Sequence, residues 1–266
     1  VVVGSVILAL SVPQLAAAAP STATSGLRLA LVQAGVDRTG LGAFGNRRVV
    51  MQRNAALTSR MLSNSGLDLI IWPENAVDVD PIDDATAADI LRKTASDTGV
   101  PILFGALLRG IDGRRNVAMV VDSQGLRTMY TKQRLVPFGE VLPARDLLTR
   151  YFERTKHLPT DFVAGTDPGH LTIGDLQLGL VICFEIADES IVRAATSNGA
   201  RALIVQTNNA TYAGLGQSEQ QLRIAQFRAL SIGIPVYVVS TTGPSALIAT
   251  DGRIVQQLDE NHTGIL

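Results

Sequence analysis

Short apolar runs alternate with segments of helical periodicity along most of this chain. In the first half, runs rich in Val, Ile and Leu are separated by two stretches in which apolar residues recur every three or four positions. Asp83 or Asp84 can cap the second of these helices, because a short acidic side chain there accepts backbone N–H groups. The pattern predicts helices at 47–63 and 83–97, and strands at 27–35, 67–75 and 100–108 followed by a strand pair over 116–132 that turns at 123–125.

The second half of the chain repeats this order with different residues. Near-continuous apolar strands need cover on both faces. The pattern therefore predicts an α/β fold, a four-layer α-β-β-α sandwich in which two sheets pack face to face between outer helices. The predicted elements are strands at 176–184, 201–209 and 234–242, helices at 187–198 (closed by Gly199) and 218–232, and a hairpin over 245–258 that turns at Asp251–Gly252.

Residues 1–19 are almost entirely apolar and lack the basic start of a complete signal peptide. The stretch is short for a bilayer crossing, which needs about 20 apolar residues, and a proline interrupts it. We therefore expect the end of a transmembrane helix in a piece of a longer protein, with a signal-peptide remnant or a buried core segment as alternatives. The small, polar residues 20–26 predict a linker, and residues 27–266 predict one large domain.

Composition narrows the function classes. A chain of 266 residues that is 46% hydrophobic can bury a sizeable core. Its formal net charge of -1 leaves no basic surplus to neutralise phosphates, so we expect no nucleic-acid partner. One cysteine excludes an internal disulfide and a cysteine-rich zinc site. Because His157, His170 and His262 lie outside any motif, we expect no metal, no cofactor and no Cys-His or Ser-His-Asp chemistry.

Three residues with reactive side chains follow apolar runs directly, where open α/β sheets place their sites. Glu74 follows LDLIIWP, Lys132 follows LRTMYT, and Cys183 follows LQLGLVI. Each alone has an ordinary explanation, since a free cysteine in an apolar run is usually a small core residue. The glutamate alone fits a solvated loop, and the lysine alone fits a surface charge run. Together, each within its own local signature, they indicate a catalytic site.

These signatures resemble those of the nitrilase, or carbon–nitrogen hydrolase, superfamily: WPENA around Glu74, TKQRLVPFGE around Lys132 and VICFEI around Cys183. Within it the chain resembles the apolipoprotein N-acyltransferase family, through KxRLVPFGExxP from Lys132, RNVAMVVD around Asn116 and the preceding apolar segment. The resemblance covers about residues 27–266. It implies a nitrilase-type catalytic domain with a Glu-Lys-Cys triad, carried by transmembrane helices on the extracytoplasmic face of a bacterial plasma membrane.

The same resemblance implies the reaction and the partners. Enzymes of this family transfer an acyl chain from a phospholipid to the N-terminal cysteine amine of a diacylglyceryl-modified lipoprotein. We expect a monomer. Two rival functions remain open: a membrane-anchored or secreted carbon–nitrogen hydrolase with the same triad and water as acceptor, and an inactive nitrilase-like interaction domain.

Acyl transfer independently requires a nucleophile, a base and an oxyanion stabiliser. Cys183 is the single thiol, and Glu74 can take its proton and later return one to the leaving alkoxide. A charged Lys132 cannot act as a base, but its ammonium suits a developing oxyanion, together with a backbone N–H just after the cysteine. The expected course is ping-pong through a thioester.

Three supporting residues also match the family. The resemblance implies that Glu140 holds the lysine, and that Glu185 is an additional glutamate of the acyltransferase branch. The alternatives are a loop salt bridge for Glu140 and a first-turn helix residue favoured by the helix dipole for Glu185. Asn116 either orients the site or only starts a strand.

The chain departs from its relatives at two places. Phe184 follows the nucleophile where other members have tyrosine or tryptophan, and residues 210–217 lack a Trp-Phe-Gly motif. Residues 142–162 mix Leu, Tyr and Phe with Arg and Lys. This segment predicts either an amphipathic arm on the bilayer or a helix packed on the domain.

Overall fold

The computed structural model of the protein describes residues 28–36, 48–62, 66–145, 150–151, 161–210 and 216–266. The predicted membrane-helix end at 1–19 and the linker at 20–26 lie outside the described residues. So do His157 and most of the two segments whose roles were left open, at 142–162 and 210–217. Within the described ranges, none of the helices combines the length and apolar character needed to span a bilayer.

The first half of the domain follows the predicted order closely. Asp84, not Asp83, caps the second helix by accepting from the N–H of Ala87, and Gly99 ends that helix in a left-handed conformation with φ 68°. The hairpin after the third strand is longer than predicted, because the fourth strand begins at Gly113. The elements are β1 Leu29–Gln33, α1 Val49–Leu62, β2 Leu69–Ile71, α2 Ala85–Thr98, β3 Ile102–Gly110, β4 Gly113–Asp122 and β5 Gly125–Thr131.

The second half contains the predicted elements, two additional strands and one corrected helix. The predicted helix at 187–198 is shorter: a 3-10 turn at Cys183–Ala187 comes first, Asp188 then caps the helix, and Ser197 rather than Gly199 is its C-cap. The strands β6 and β12 were not predicted. The elements are β6 His170–Ile173, β7 Leu176–Ile182, α3 Glu189–Thr196, β8 Leu203–Thr207, α4 Gln217–Ile232, β9 Val236–Ser240, β10 Ser245–Ile248, β11 Ile254–Leu258 and β12 Gly264–Ile265.

Two six-stranded sheets form the centre of the fold, in the orders β12-β1-β2-β3-β4-β5 and β11-β10-β9-β8-β7-β6. The strands β1, β2 and β3 are mutually parallel, as are β7, β8 and β9. Because β12 pairs antiparallel with β1, the end of the chain crosses from the second sheet back to the first.

Three apolar clusters define the layers. One packs α1 and α2 on the outer face of the first sheet, and another packs α3 and α4 on the outer face of the second. Between the sheets, side chains such as Leu31, Ile71 and Leu103 meet Leu180, Ile182 and Ile204. The four-layer α-β-β-α sandwich is therefore confirmed. Because β2 and β7 belong to different sheets, residues just beyond their carboxyl ends can face one another across the gap.

Candidate active site

Glu74 lies in a tight turn after β2 and is almost fully buried, with 4% of its surface exposed. The neighbouring strand β3 contributes Gly105, where a Cβ atom would lie 2.6 Å from the Cα of Glu74. The absence of a side chain at Gly105 therefore lets the turn lie against the strand. The backbone N–H of Asn208 donates to Oε2 of Glu74 at 2.7 Å, and the hydroxyl of Thr241 donates to its carbonyl at 3.1 Å. The turn is thus fixed from both sheets.

Lys132 is buried between two carboxylates. Its Nζ lies 2.9 Å from Oε1 of Glu140 and 3.3 Å from Oε1 of Glu74. The side-chain amide of Asn116 donates to the same two oxygen atoms, at 2.9 and 2.7 Å. The backbone N–H of Lys132 also donates to the carbonyl of Asn116, because β4 and β5 are paired at this point. Four polar side chains therefore form one buried network.

The charge state of Lys132 follows from these contacts. Burial alone would lower its pKa, but the charges of Glu74 and Glu140, and that of Cys183 once its thiol is ionised, outweigh that effect and raise the pKa above the usual lysine value. Lys132 is therefore an ammonium at neutral pH. A group in that state can donate hydrogen bonds to an oxyanion but cannot accept a proton.

Cys183 follows β7 in a left-handed conformation, with φ 55°. Non-glycine residues rarely adopt this conformation, which persists only where surrounding contacts hold it. The hydroxyl of Thr207, at the end of β8, lies 3.5 Å from Sγ. Burial and the charge of Glu74 raise the pKa of the thiol to about 11, although Lys132, Thr207 and the N–H of Asn208 act in the opposite direction. Cys183 is therefore a neutral thiol at rest, and it would need a base to act as a nucleophile.

Glu185 is fully buried, but in the described structure its hydrogen bonds are not to the network around Lys132. Its Oε1 accepts from the hydroxyl of Tyr130 at 2.8 Å and from the backbone N–H groups of Gln133 and Arg134 at 2.6 and 3.0 Å. Its Oε2 accepts from the N–H of Ile182 at 2.8 Å. Burial raises the pKa of Glu185, and these hydrogen bonds oppose that shift. Glu185 thus connects the turn that carries the cysteine to the loop after Lys132.

Two residues beside Cys183 were missed in the analysis of the sequence. Thr207 and Asn208 belong to a polar run at the carboxyl end of β8, and the strand-end position that pointed to Glu74 could have pointed to them.

Arg228 had no comparable signal in the sequence, because it lies inside α4. Arg228 is 8% exposed, and its guanidinium donates to the carbonyls of Ile186 and Ala187, at 3.0 and 2.8 Å. Arg228 therefore holds the 3-10 turn from the outer layer.

The structure brings Glu74, Lys132, Glu140 and Asn116 into one network and places Cys183 within electrostatic range of it. His170 lies apart, with Nε2 2.8 Å from the carbonyl of Ala194. Among the described residues, no group of three or more histidine, cysteine or acidic side chains could hold a metal ion.

A sandwich of this architecture, with a cysteine, a glutamate and a lysine converging between its sheets, defines a class of enzyme folds. The chain belongs to the carbon-nitrogen hydrolase family, whose model matches residues 28–266. It shares its fold with an amidase from Nesterenkonia sp. AN1, at a TM-score of 0.66 and 20% identity over 90% of this chain and 91% of that one. A CN-hydrolase superfamily protein from Xanthomonas campestris superposes with a TM-score of 0.65 and 17% identity over 90% and 89% of the two chains.

The more specific resemblance is to apolipoprotein N-acyltransferases. The enzyme of that name from Mycolicibacterium smegmatis is 32% identical over 252 residues, which are 88% of this chain and 41% of the relative. That from Rhizobium leguminosarum bv. trifolii is 28% identical over 256 residues, 89% of this chain and 46% of the relative. The chain thus spans less than half the length of these curated relatives. The similarity suggested by the motifs around Glu74, Lys132 and Cys183 is confirmed.

Proposed function

We propose that this chain is the catalytic domain of an apolipoprotein N-acyltransferase. In this role it moves an acyl chain from a phospholipid, through a thioester on Cys183, to the N-terminal amine of a diacylglyceryl-modified lipoprotein. The domain would act as a monomer on the extracytoplasmic face of a bacterial plasma membrane. The observation that carries the proposal is a neutral, partly buried thiol beside a carboxylate and an ammonium that are held in one network.

The first half-reaction follows from these positions. Glu74 accepts the proton of the Cys183 thiol, and the thiolate attacks the ester carbonyl of the phospholipid. The ammonium of Lys132 stabilises the tetrahedral oxyanion, together with the backbone N–H that follows the cysteine. As the carbon–oxygen bond breaks, the protonated Glu74 returns its proton to the alkoxide. A thioester and a lysophospholipid result.

The second half-reaction uses the same groups in the same order. The neutral amine of the lipoprotein attacks the thioester, and Glu74 takes a proton from the nitrogen as the new carbon–nitrogen bond forms. The carbon–sulfur bond breaks, and the proton passes to the departing thiolate of Cys183. The products are an amide and the resting thiol. Asn116 and Glu140 keep Lys132 and Glu74 in place during both steps.

Two exposed phenylalanines beside the network favour a lipid over a small polar substrate. Phe184 follows the nucleophile and is 48% exposed, and Phe138, close to Glu140, is 69% exposed with a left-handed φ of 64°. Single exposed apolar side chains are ordinary on protein surfaces. Here two aromatic rings lie next to catalytic positions, as an acyl chain entering from a membrane would require.

The second candidate is a carbon–nitrogen hydrolase that uses the same triad with water as acceptor. The observation that supports it is the triad itself, because Glu74, Lys132 and Cys183 could form a thioester from an amide as well as from a lipid ester. The test is to incubate the protein with phospholipid vesicles and measure the mass of the peptide that contains Cys183, before and after adding a diacylglyceryl lipopeptide. The proposal requires one fatty-acyl addition that hydroxylamine removes and that the lipopeptide then accepts. An adduct that persists in Cys183→Ala, or rapid hydrolysis of small amides without acyl transfer, would refute it.

A further inference from the structure

The hairpin that joins β3 to β4 ends in an unusual tip, here defined as residues 109–114. Ile111 stands at its apex with a relative exposure of 110%, so that no other part of the described protein covers it. Arg109 and Arg114 are direct partners across the two strands. The neighbouring Arg115 donates to both carboxylate oxygens of Asp112, at 2.8 and 2.6 Å. Arg115 thereby neutralises Asp112, the acidic residue of the tip, and Asp112 is not available to pair with Arg109 or Arg114.

In the described structure, the acids near the tip form no ion pair with Arg109 or Arg114. Asp80 accepts through its two carboxylate oxygens from the backbone N–H groups of Ile82 and Arg109. Asp161, whose carbonyl lies beside Gly113, is bound by Arg145. Within the described part of the chain, the guanidinium groups of Arg109 and Arg114 thus have no carboxylate partner. Like charges placed directly across a strand pair destabilise a sheet. The pair therefore adds nothing to the stability of the hairpin, and an anion between them would relieve the repulsion.

The tip lies on the rim of the candidate active site. Alternate residues of a strand share one face, so Arg114 projects from the same face of β4 as Asn116, about 7 Å farther along the strand. Asn116 is the residue that contacts both Glu74 and Glu140. The carbonyl of Arg114 accepts from the N–H of Val163, which ties the tip to the segment next to the site.

We propose that this hairpin tip docks on the surface of an anionic lipid bilayer, with Ile111 in the apolar layer and Arg109 and Arg114 on lipid phosphates. A guanidinium group can donate two parallel hydrogen bonds to two oxygens of one phosphate, and it is more weakly hydrated than an ammonium. An anionic bilayer offers phosphates at its surface and an apolar layer directly beneath, which matches an apex isoleucine flanked by two arginines. The inference rests on the proposed function: the phosphate and ester groups of one phospholipid are only a few bonds apart. Docking the phosphate on the rim therefore brings the ester toward Cys183.

The test compares the binding of the whole chain to phosphatidylcholine vesicles with and without phosphatidylglycerol. The measured quantity is the ratio of the two partition coefficients, which cancels any contribution of the apolar residues 1–19. We expect Arg109→Gln combined with Arg114→Gln to lower this ratio about 30-fold at low salt, since each arginine near an anionic surface contributes roughly a factor of five. The matched control is Arg92→Gln with Arg127→Gln, which removes two ion-paired surface arginines elsewhere. An equal loss in the control would reduce the effect to net charge and overturn the proposal.

A second measurement locates the contact. Trp72 is the single tryptophan and is fully buried, so Ile111→Trp adds an exposed fluorophore at the tip. Brominated acyl chains should quench its emission, whereas Val255→Trp on β11 should be quenched far less. Unquenched emission at position 111 would overturn the docking proposal. Acylation of Cys183 by a short-chain soluble ester separates this outcome from the proposed function, because that reaction should not change in any of the tip variants. If wild-type protein binds as expected but never acylates Cys183, the proposed function fails and the docking surface stands.

Discussion

The backbone N–H of Asn208 donates to Oε2 of Glu74 across the gap between the two sheets, at 2.7 Å. The glutamate follows β2 in the first sheet, and the donor follows β8 in the second. Asn208 directly follows β8, and β8 is paired with β7, the strand that leads to Cys183. Glu74 is therefore oriented by the sheet that carries Cys183, and the separation of proposed base and nucleophile depends on how the sheets pack.

Replacing Glu74 with glutamine separates thiol acidity from catalysis. The negative charge of Glu74 helps to raise the thiol pKa to about 11, so its removal should lower the pKa of Cys183. Alkylation by iodoacetamide, measured against pH, should therefore shift to lower pH. Acyl transfer from phospholipid should nevertheless fall by about 10²–10⁴, because the base is lost. Asp89→Asn, which removes an exposed acid paired with Arg92 on α2, should change neither measurement. Faster transfer in Glu74→Gln would contradict the assigned role.

Thr207 should tune the same thiol from the opposite side. Its hydroxyl lies 2.9 Å from Oε1 of Gln221 and 3.5 Å from Sγ, and turning its single proton toward the sulfur favours the thiolate. Thr207→Val keeps the shape and removes the donor, so the alkylation profile should move to higher pH and thioester formation should slow about tenfold. Thr207→Ser should restore both quantities. Identical pH profiles for the valine and serine variants would limit Thr207 to packing.

Lys132→Arg preserves charge but should still abolish most acyl transfer. A planar guanidinium is larger than an ammonium and cannot reproduce its contacts with Glu74 and Glu140 in a site that is only 1% exposed. Loss of one oxyanion donor corresponds to about 10²–10³ in rate, which stopped-flow measurement of thioester formation would detect. Lys93→Arg, on the exposed face of α2, serves as the control. Wild-type rates in the Lys132 variant would remove this residue from the mechanism.

Glu185→Gln should mainly reduce stability. The amide oxygen of the glutamine can take the place of Oε1 and keep the three hydrogen bonds that Oε1 accepts. The NH₂ group would then take the place of Oε2 and face the N–H of Ile182, which is also a donor. Leaving such donors opposed costs about 1–3 kcal/mol in the free energy of unfolding. Tyr130→Phe removes one of the four hydrogen bonds and should cost only about 0.5–1.5 kcal/mol. Urea unfolding of both variants measures the difference. A glutamine variant with wild-type stability but no activity would instead place Glu185 in the chemistry.

Periodicity predicted the elements that carry a long apolar face, such as α1 and α4, and the face-to-face sheets that follow from them. It could not predict β12, because a strand of two residues has no period and depends on pairing with β1. Local motifs likewise located Glu74, Lys132 and Cys183, whose positions at strand ends are encoded within a few residues. The contacts of Glu185 were out of reach, since two of its partners lie 51 and 52 residues away along the chain.

An inventory of this site by functional groups would omit Gly105, which has no side chain at all. Any Cβ at that position would lie within 2.7 Å of the backbone of Pro73, Glu74 and Asn75 together. In a saturation mutagenesis screen for activity, we therefore expect Gly105 to tolerate as few substitutions as Cys183, the proposed nucleophile. In a screen for expression alone the two profiles should separate, because Cys183 tolerates a serine-sized replacement and Gly105 tolerates none. Selection at this position would then preserve the absence of a side chain, because any side chain would displace the turn that carries Glu74.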